Sequence, residues 1–352
     1  MIHTWLQPTW QRLIELGERL PHALLFVGPA GLGKRELAEA LAARLLCDTP
    51  RADGHACDHC EPCQWRLTGN HPDLIRVVPA ADAAAAATEA EAETPARETP
   101  AKAASAQILI EQIRELQAAL SITGHHGSRR VVVLDPAEAM NLFTANALLK
   151  LLEEPPTGCV FLLVSSAPRR LLPTIRSRCQ QWHFARPSEA ELAHWKAQAD
   201  RDTQALLALG GGMPLAAERL AEAGGGALLA RFVRDIGGLQ AADVLRLAGQ
   251  WEAWLKSKEA TASGIGLPEL SDWMQRWVSD LAAVRLGGRV RFFPAQESVL
   301  AALASRMSVA AASGCYNEVA QIHKVSRHPL SLRLVLEDML MRYARAIAGA
   351  RG

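Results

Sequence analysis

The chain has 352 residues, with 38 Lys and Arg against 37 Asp and Glu, for a formal charge of +1. That length exceeds one compact domain and predicts two or three. The balanced charge argues against a protein that holds nucleic acid chiefly through its own cationic surface, because phosphate contacts need surplus Lys and Arg.

Hydrophobic residues make up 49% and aromatics only 5%; the apolar mass is Ala and Leu, which favours helix. There is no run of 18 apolar residues, and residues 1–21 lack the basic start and apolar centre of a signal peptide. A soluble cytoplasmic protein without membrane contact is expected.

In chain order, Ala23–Val27 reads as a buried strand, and Leu37, Leu41 and Leu45 mark a helix over Arg35–Leu46. Between them lies Gly28-Pro-Ala-Gly31-Leu-Gly33-Lys34-Arg35. A strand, a glycine loop and a helix are the context of a P-loop, whose N–H groups and lysine cradle phosphates. Gly28, Gly31, Gly33 and Lys34 are therefore candidate nucleotide ligands. The next residue should be Ser or Thr to hold Mg²⁺, and here it is Arg35.

Cys47, Cys57, Cys60 and Cys63 follow at C-x9-C-x2-C-x2-C. Four thiolates suit a closed tetrahedral zinc site of structural type. His55 and His59 are competing ligands, and reduced, unliganded thiols are the plain alternative. Residues 79–106 are rich in Ala, Glu, Thr and Pro, with Pro95 and Pro100 inside, and read as a disordered surface insertion.

Strands are predicted at Leu74–Val78, Arg130–Leu134 and Val160–Val164. Helices are predicted around Leu109–Leu120 and Thr144–Glu154. Continuous apolar strands interleaved with helices imply a mostly parallel α/β sheet. Asp135 ends Arg130–Leu134 as an NTPase strand-end acid would, although an Asp-Pro turn has the same appearance. Pro136 stands where hydrolysing ATPases carry Glu, and Glu138 comes three residues on. Ser177-Arg178-Cys179 follows the Val160–Val164 strand. Arg178 reads either as an ion-pair partner within its own fold or as an arginine finger for a neighbouring subunit's γ-phosphate.

Beyond Pro187 the patterns are helical. Ser188 with Glu191 resembles a capping box, and a stripe including Trp251, Trp254, Trp273 and Trp277 has helical spacing. That stripe is read as core.

Several of these strings together resemble the delta-prime subunits of the bacterial DNA polymerase III clamp loader, within the AAA+ clamp-loader family. They are His22-Ala-Leu-Leu-Phe, the cysteine module, His71-Pro-Asp73, Asn146-Ala-Leu-Leu-Lys-Leu-Leu-Glu-Glu-Pro-Pro156 and Ser177-Arg178-Cys179. The resemblance covers about residues 1–187. It implies an AAA+ P-loop-like domain (1–186) carrying the zinc module (47–63), a small helical lid (187–227) and an all-α collar for oligomerisation (228–352). Arg178, with Ser177 and Cys179 placing it, would enter a motor subunit's ATP site in trans. The partners implied are motor subunits and delta in a five-subunit arc, acting on a sliding clamp and primed DNA. Arg35, Pro136 and a proline at Pro214, where motor subunits carry arginine, match the branch that does not hydrolyse ATP. Whether the loop still holds ATP stays open. The competing reading is an autonomous DNA-stimulated ATPase using Lys34 and Asp135.

Overall fold

A computed structural model describes residues 2–82, 105–121, 129–258, 260, 265–326 and 331–348. Residues 83–104, most of the low-complexity insertion including Pro95 and Pro100, lie outside the described residues. The chain divides into two compact units, Met1–Leu192 and Ala193–Gly352.

The first unit begins with α1 (Gln7–Leu16), then β1 (Ala23–Val27), α2 (Lys34–Leu46) and α3 (Glu61–Leu67). β2 (Leu74–Val77), α4 (Ile110–Ser121), β3 (Arg130–Leu134) and α5 (Leu142–Glu153) follow. β4 (Cys159–Ser165), α6 (Pro173–Arg178) and β5 (Gln180–His183) complete the sheet. The strands form one parallel sheet in the order β2-β3-β4-β1-β5. β1 and β4 are buried along their whole length, as their continuous apolar runs require. Against one face pack Ile113, Leu116 and Leu120 of α4 with Ala145, Leu148 and Leu152 of α5. α2 packs on β3 and β4 through its Leu37, Ala38 and Leu41 side.

β5 corrects the expectation that Val160–Val164 is the last strand. Its sequence, Gln-Gln-Trp-His, carries no apolar run, because it is an edge strand with only Trp182 buried. Trp182 lies under the Arg12 guanidinium, 5.1 Å from its ring centroid. α5 starts two residues before its expected position, because Asn141 caps it by accepting the Thr144 N–H at 2.9 Å.

Two of the strings that carry the resemblance meet in space. His22 Nε2 lies 3.1 Å from the Leu152 carbonyl at the end of α5. His71 Nδ1 accepts the Asp73 N–H at 3.1 Å at the entrance to β2. Ser188 and Glu191 form the expected capping box, with the Glu191 carboxylate 2.7 Å from the Ser188 nitrogen and hydroxyl. It opens α7 (Glu189–Gln198).

The second unit is helical among its described residues. It holds α8 (Arg201–Leu209), α9 (Pro214–Glu222), α10 (Gly225–Gly237) and α11 (Val244–Leu255). α12 (Leu267–Arg285), α13 (Glu297–Ala304), α14 (Val309–Val325) and α15 (Leu332–Ala348) complete it. Pro214 opens α9, where it has no helical N–H to lose. Most of the tryptophan stripe is core: Phe232 packs against Trp251, Trp273, Trp277 and Phe293 at centroid distances of 5.9–6.0 Å. Trp277 donates its indole N–H to the Tyr343 hydroxyl at 2.8 Å, and Tyr343 donates onward to the Ile236 carbonyl. Trp254 instead lies beneath the Arg231 guanidinium. Asp280, 1% exposed, accepts the N–H groups of Arg291, Phe292 and Phe293 at 2.8–2.9 Å, which turns the chain so that Phe293 enters the core. No helix among the described residues is long and apolar enough to cross a membrane.

Candidate functional site

Because all five strands are parallel, their C-terminal ends share one edge, where open α/β sheets place ligands. The glycine loop leaves β1 there, Asp135 leaves β3, and Ser166 leaves β4. Gly28 allows the loop to pass close to β5's exit: a Cβ there would sit 2.6 Å from the Phe184 carbonyl oxygen. Gly31 and Gly33 take φ of +80° and +89°, the left-handed region glycine tolerates. The N-terminal segment backs this loop, with Trp5 donating its indole N–H to the Leu32 carbonyl at 2.9 Å.

Lys34 is buried, and its Nζ donates to the Pro29 carbonyl at 2.6 Å and the Ser166 hydroxyl at 3.1 Å. Arg35 pairs with Asp135, Nε to Oδ2 at 3.5 Å. Burial pushes the Asp135 carboxyl above the usual carboxylate range, while the Arg35 and Lys34 cations pull it back. Asp135 thus sits in the turn after β3 and faces the loop's cations. Glu138 lies three residues beyond Asp135, and its Oε2 is buried with no hydrogen-bond partner among the described residues. Its Oε1 accepts the N–H groups of Ser166 and Ala167 at 2.9 and 3.1 Å, which ties the β3 exit to the β4 exit.

Arg178 closes α6, directly before β5. Its guanidinium is ion-paired with Glu153, the last residue of α5, and Nη1 donates to the Thr174 carbonyl at 3.1 Å. The side chain remains 35% exposed. The Ser177 hydroxyl donates to the same Thr174 carbonyl. Cys179 is buried in the sheet core, and that burial pushes its thiol up to about 12. Sequence reasoning missed Glu153 and Ser166 as partners. Glu153 lies inside the Asn146–Pro156 string without a role assigned there, and Ser166 follows β4 with no motif of its own.

The four-cysteine cluster lies away from the loop. α2 is 13 residues long, so its rise carries the chain about 18 Å from Lys34 to the turn holding Cys47. The Sγ atoms of Cys47, Cys57, Cys60 and Cys63 all fall within 4.8 Å of one another. Two of the separations are 3.8 Å (Cys47–Cys60) and 3.9 Å (Cys57–Cys63). The edge of a tetrahedron with Zn–S bonds of about 2.3 Å is about 3.8 Å. Backbone N–H groups point at two of the sulfurs: Cys57 N–H at Cys47, and those of His59 and Cys60 at Cys57.

The Cys57 thiol lies at about 5: burial pushes it up, and hydrogen bonds from Thr49, His59 and Cys60 more than offset that. Cys47 and Cys63 are raised, by burial first and then by neighbouring sulfurs, a crowding that a cation relieves. The competing histidines face elsewhere. His55 stacks on Trp10, and His59 Nδ1 lies 3.0 Å from the Cys57 carbonyl. The donor set therefore fits one closed tetrahedral metal ion.

The chain is similar to known proteins along most of its length. The model of a family described as DNA polymerase III, delta subunit, matches residues 6–188. The chain is 39% identical over 294 residues to DNA polymerase III subunit delta' of Pseudomonas aeruginosa, covering 81% of this chain and 78% of that protein. It is 28% identical over 352 residues to the Escherichia coli subunit of the same name, covering 97% and 94%. It is also 31% identical over 176 residues to DNA polymerase III subunit tau of Escherichia coli, covering 50% of this chain and 23% of that one.

Proposed function

The chain belongs to the DNA polymerase III delta-prime subunit family of clamp-loader proteins, and from that membership we propose that it is the non-hydrolysing partner of ATP-driven motor subunits. The observation that carries this reading is the Arg35–Asp135 pair. The loop's strand-end acid faces a guanidinium, and no hydroxyl follows Lys34 to hold a metal.

Arg178 is the group this subunit contributes to chemistry. Its side chain is 35% exposed, and in trans its guanidinium neutralises the charge that develops on a neighbour's γ-phosphate as the bond to the leaving group loosens. Ser177 places it from the preceding turn, and Cys179 anchors the start of β5 beneath it. The half-buried pair with Glu153 contributes only about 0.5 kcal/mol to stability. The pair therefore positions the guanidinium rather than holding the fold together.

Cys47, Cys57, Cys60 and Cys63 hold zinc, which cross-links the end of α2 to α3 and has no open position for catalysis. Helices in 187–227 form the lid, and those in 228–352 form a collar that packs with motor subunits and delta in a five-subunit arc. Through that assembly the chain takes part in placing a sliding clamp on primed DNA in the cytoplasm, at the nucleoid. The shared assembly accounts for the balanced charge, since DNA contacts are spread over several chains.

ATP turnover of the isolated chain, and of the chain mixed with its motor subunits, tests this reading. Background turnover alone and stimulated turnover in the mixture are expected. Steady turnover by the isolated chain that disappears in Lys34→Ala would instead establish the autonomous ATPase.

A further inference from the structure

A P-loop ATPase positions Mg²⁺ with a hydroxyl after the lysine and, through water, a strand-end carboxylate. The residues here do not fit that ion. The first donor is replaced by Arg35, which has no lone pair to offer a metal. The second, Asp135, faces the Arg35 guanidinium at 3.5 Å. Glu138 is held through its Oε1 by the Ser166 and Ala167 N–H groups. Lys34 is turned onto Pro29 and Ser166.

We propose that Arg35 is a built-in counter-ion standing where a P-loop ATPase carries Mg²⁺, and that this one residue shuts divalent metal out of the loop. Charge is the reason. A delocalised cation beside Asp135 satisfies the carboxylate and repels a dication. Restoring a hydroxyl at position 35 supplies one ligand and frees the other in a single step. The Arg35 side chain is 55% exposed, so replacing it removes no core packing.

This inference deepens the non-hydrolysing reading, and the two can fail separately. The test is binding of a fluorescent ADP analogue to the full chain, with Mg²⁺ or with EDTA. It compares wild type, Arg35→Thr, Arg35→Ser and Arg35→Thr/Asp135→Asn, with melting curves to confirm folding. Mg²⁺ is expected to change wild-type binding less than two-fold, or to leave it absent in both buffers. In Arg35→Thr and Arg35→Ser it should tighten binding at least ten-fold, and Asp135→Asn should cancel that gain. Ten-fold Mg²⁺ dependence in wild type would overturn the inference while leaving a silent ATPase silent. Folded hydroxyl variants that gain nothing from Mg²⁺ would overturn it equally. ATP turnover by the wild-type chain would instead sink the non-hydrolysing reading.

Discussion

The Arg178 guanidinium is ion-paired with the Glu153 carboxylate, so the last residue of α6 is held by the last residue of α5. Its Nη1 is fixed at a second point by the Thr174 carbonyl. A guanidinium tethered at two points has already given up part of its rotamer freedom, and its free edge is presented in a defined direction.

The first prediction follows from that tether. Arg178→Ala should lower ATP turnover of the reconstituted assembly at least ten-fold while the subunits still co-elute. Glu153→Gln should lower kcat several-fold with little change in KM for ATP, and should have no further effect in the Arg178→Ala background. Additive losses in the double variant would show that the two residues act independently.

The cysteine geometry predicts about one zinc per purified chain by elemental analysis. Cys60→Ser/Cys63→Ser should lose it, with protease sensitivity confined to the segment from Cys47 through α3. The glycine loop stands about 18 Å away along α2, so proteolysis there should not change. Folded wild-type chain free of metal would remove the assignment.

Thiol reactivity separates the seven cysteines. Burial pushes Cys159 up to about 11 and Cys179 and Cys315 up to about 12, so all three remain thiols at pH 8 and are buried. Native protein treated with iodoacetamide at that pH should take up almost no label. Adding a zinc chelator should expose four sites, and the other three should react only after denaturation. Rapid labelling of Cys179 in the native chain would contradict its placement in the sheet core.

Asp280 predicts a stability effect unrelated to function. Asp280→Ala leaves the N–H groups of Arg291, Phe292 and Phe293 without their acceptor, the last of them buried, at a cost of about 2 kcal/mol. Asp280→Asn keeps one acceptor oxygen and should cost less. Equal losses in thermal or urea unfolding would mean that charge, not acceptor geometry, carries the effect.

Much of the first unit was legible from residue order. β1, β3 and β4 are apolar runs because both sheet faces are covered, and periodicity therefore found them within a residue or two. β5 was not legible, since an edge strand with one buried residue has no pattern to display. The clustering of the four cysteines was legible from spacing. The exclusion of His55 and His59 was not, because it depends on Trp10 and on the Cys57 carbonyl. The tryptophan stripe announced a core through its helical period, but the part played by Phe293 depends on Asp280 from another element.

Residue identity and spacing alone determined the chemistry available: a glycine loop with Arg35 after its lysine, Pro136 after Asp135, four closely spaced thiols, and an arginine between Ser177 and Cys179. These are local properties, written in consecutive residues. Tertiary structure decided which groups meet. Lys34 reaches Ser166, Arg35 reaches Asp135, and Arg178 reaches Glu153. The sheet order β2-β3-β4-β1-β5 gathers the C-terminal ends of non-consecutive strands at one edge, while α5 and α6 pack against each other so that Glu153 and Arg178, which precede β4 and β5, meet at the opposite edge. Hydrogen bonds and ion pairs act over a few ångströms, so their partners are set by that packing and not by position along the chain.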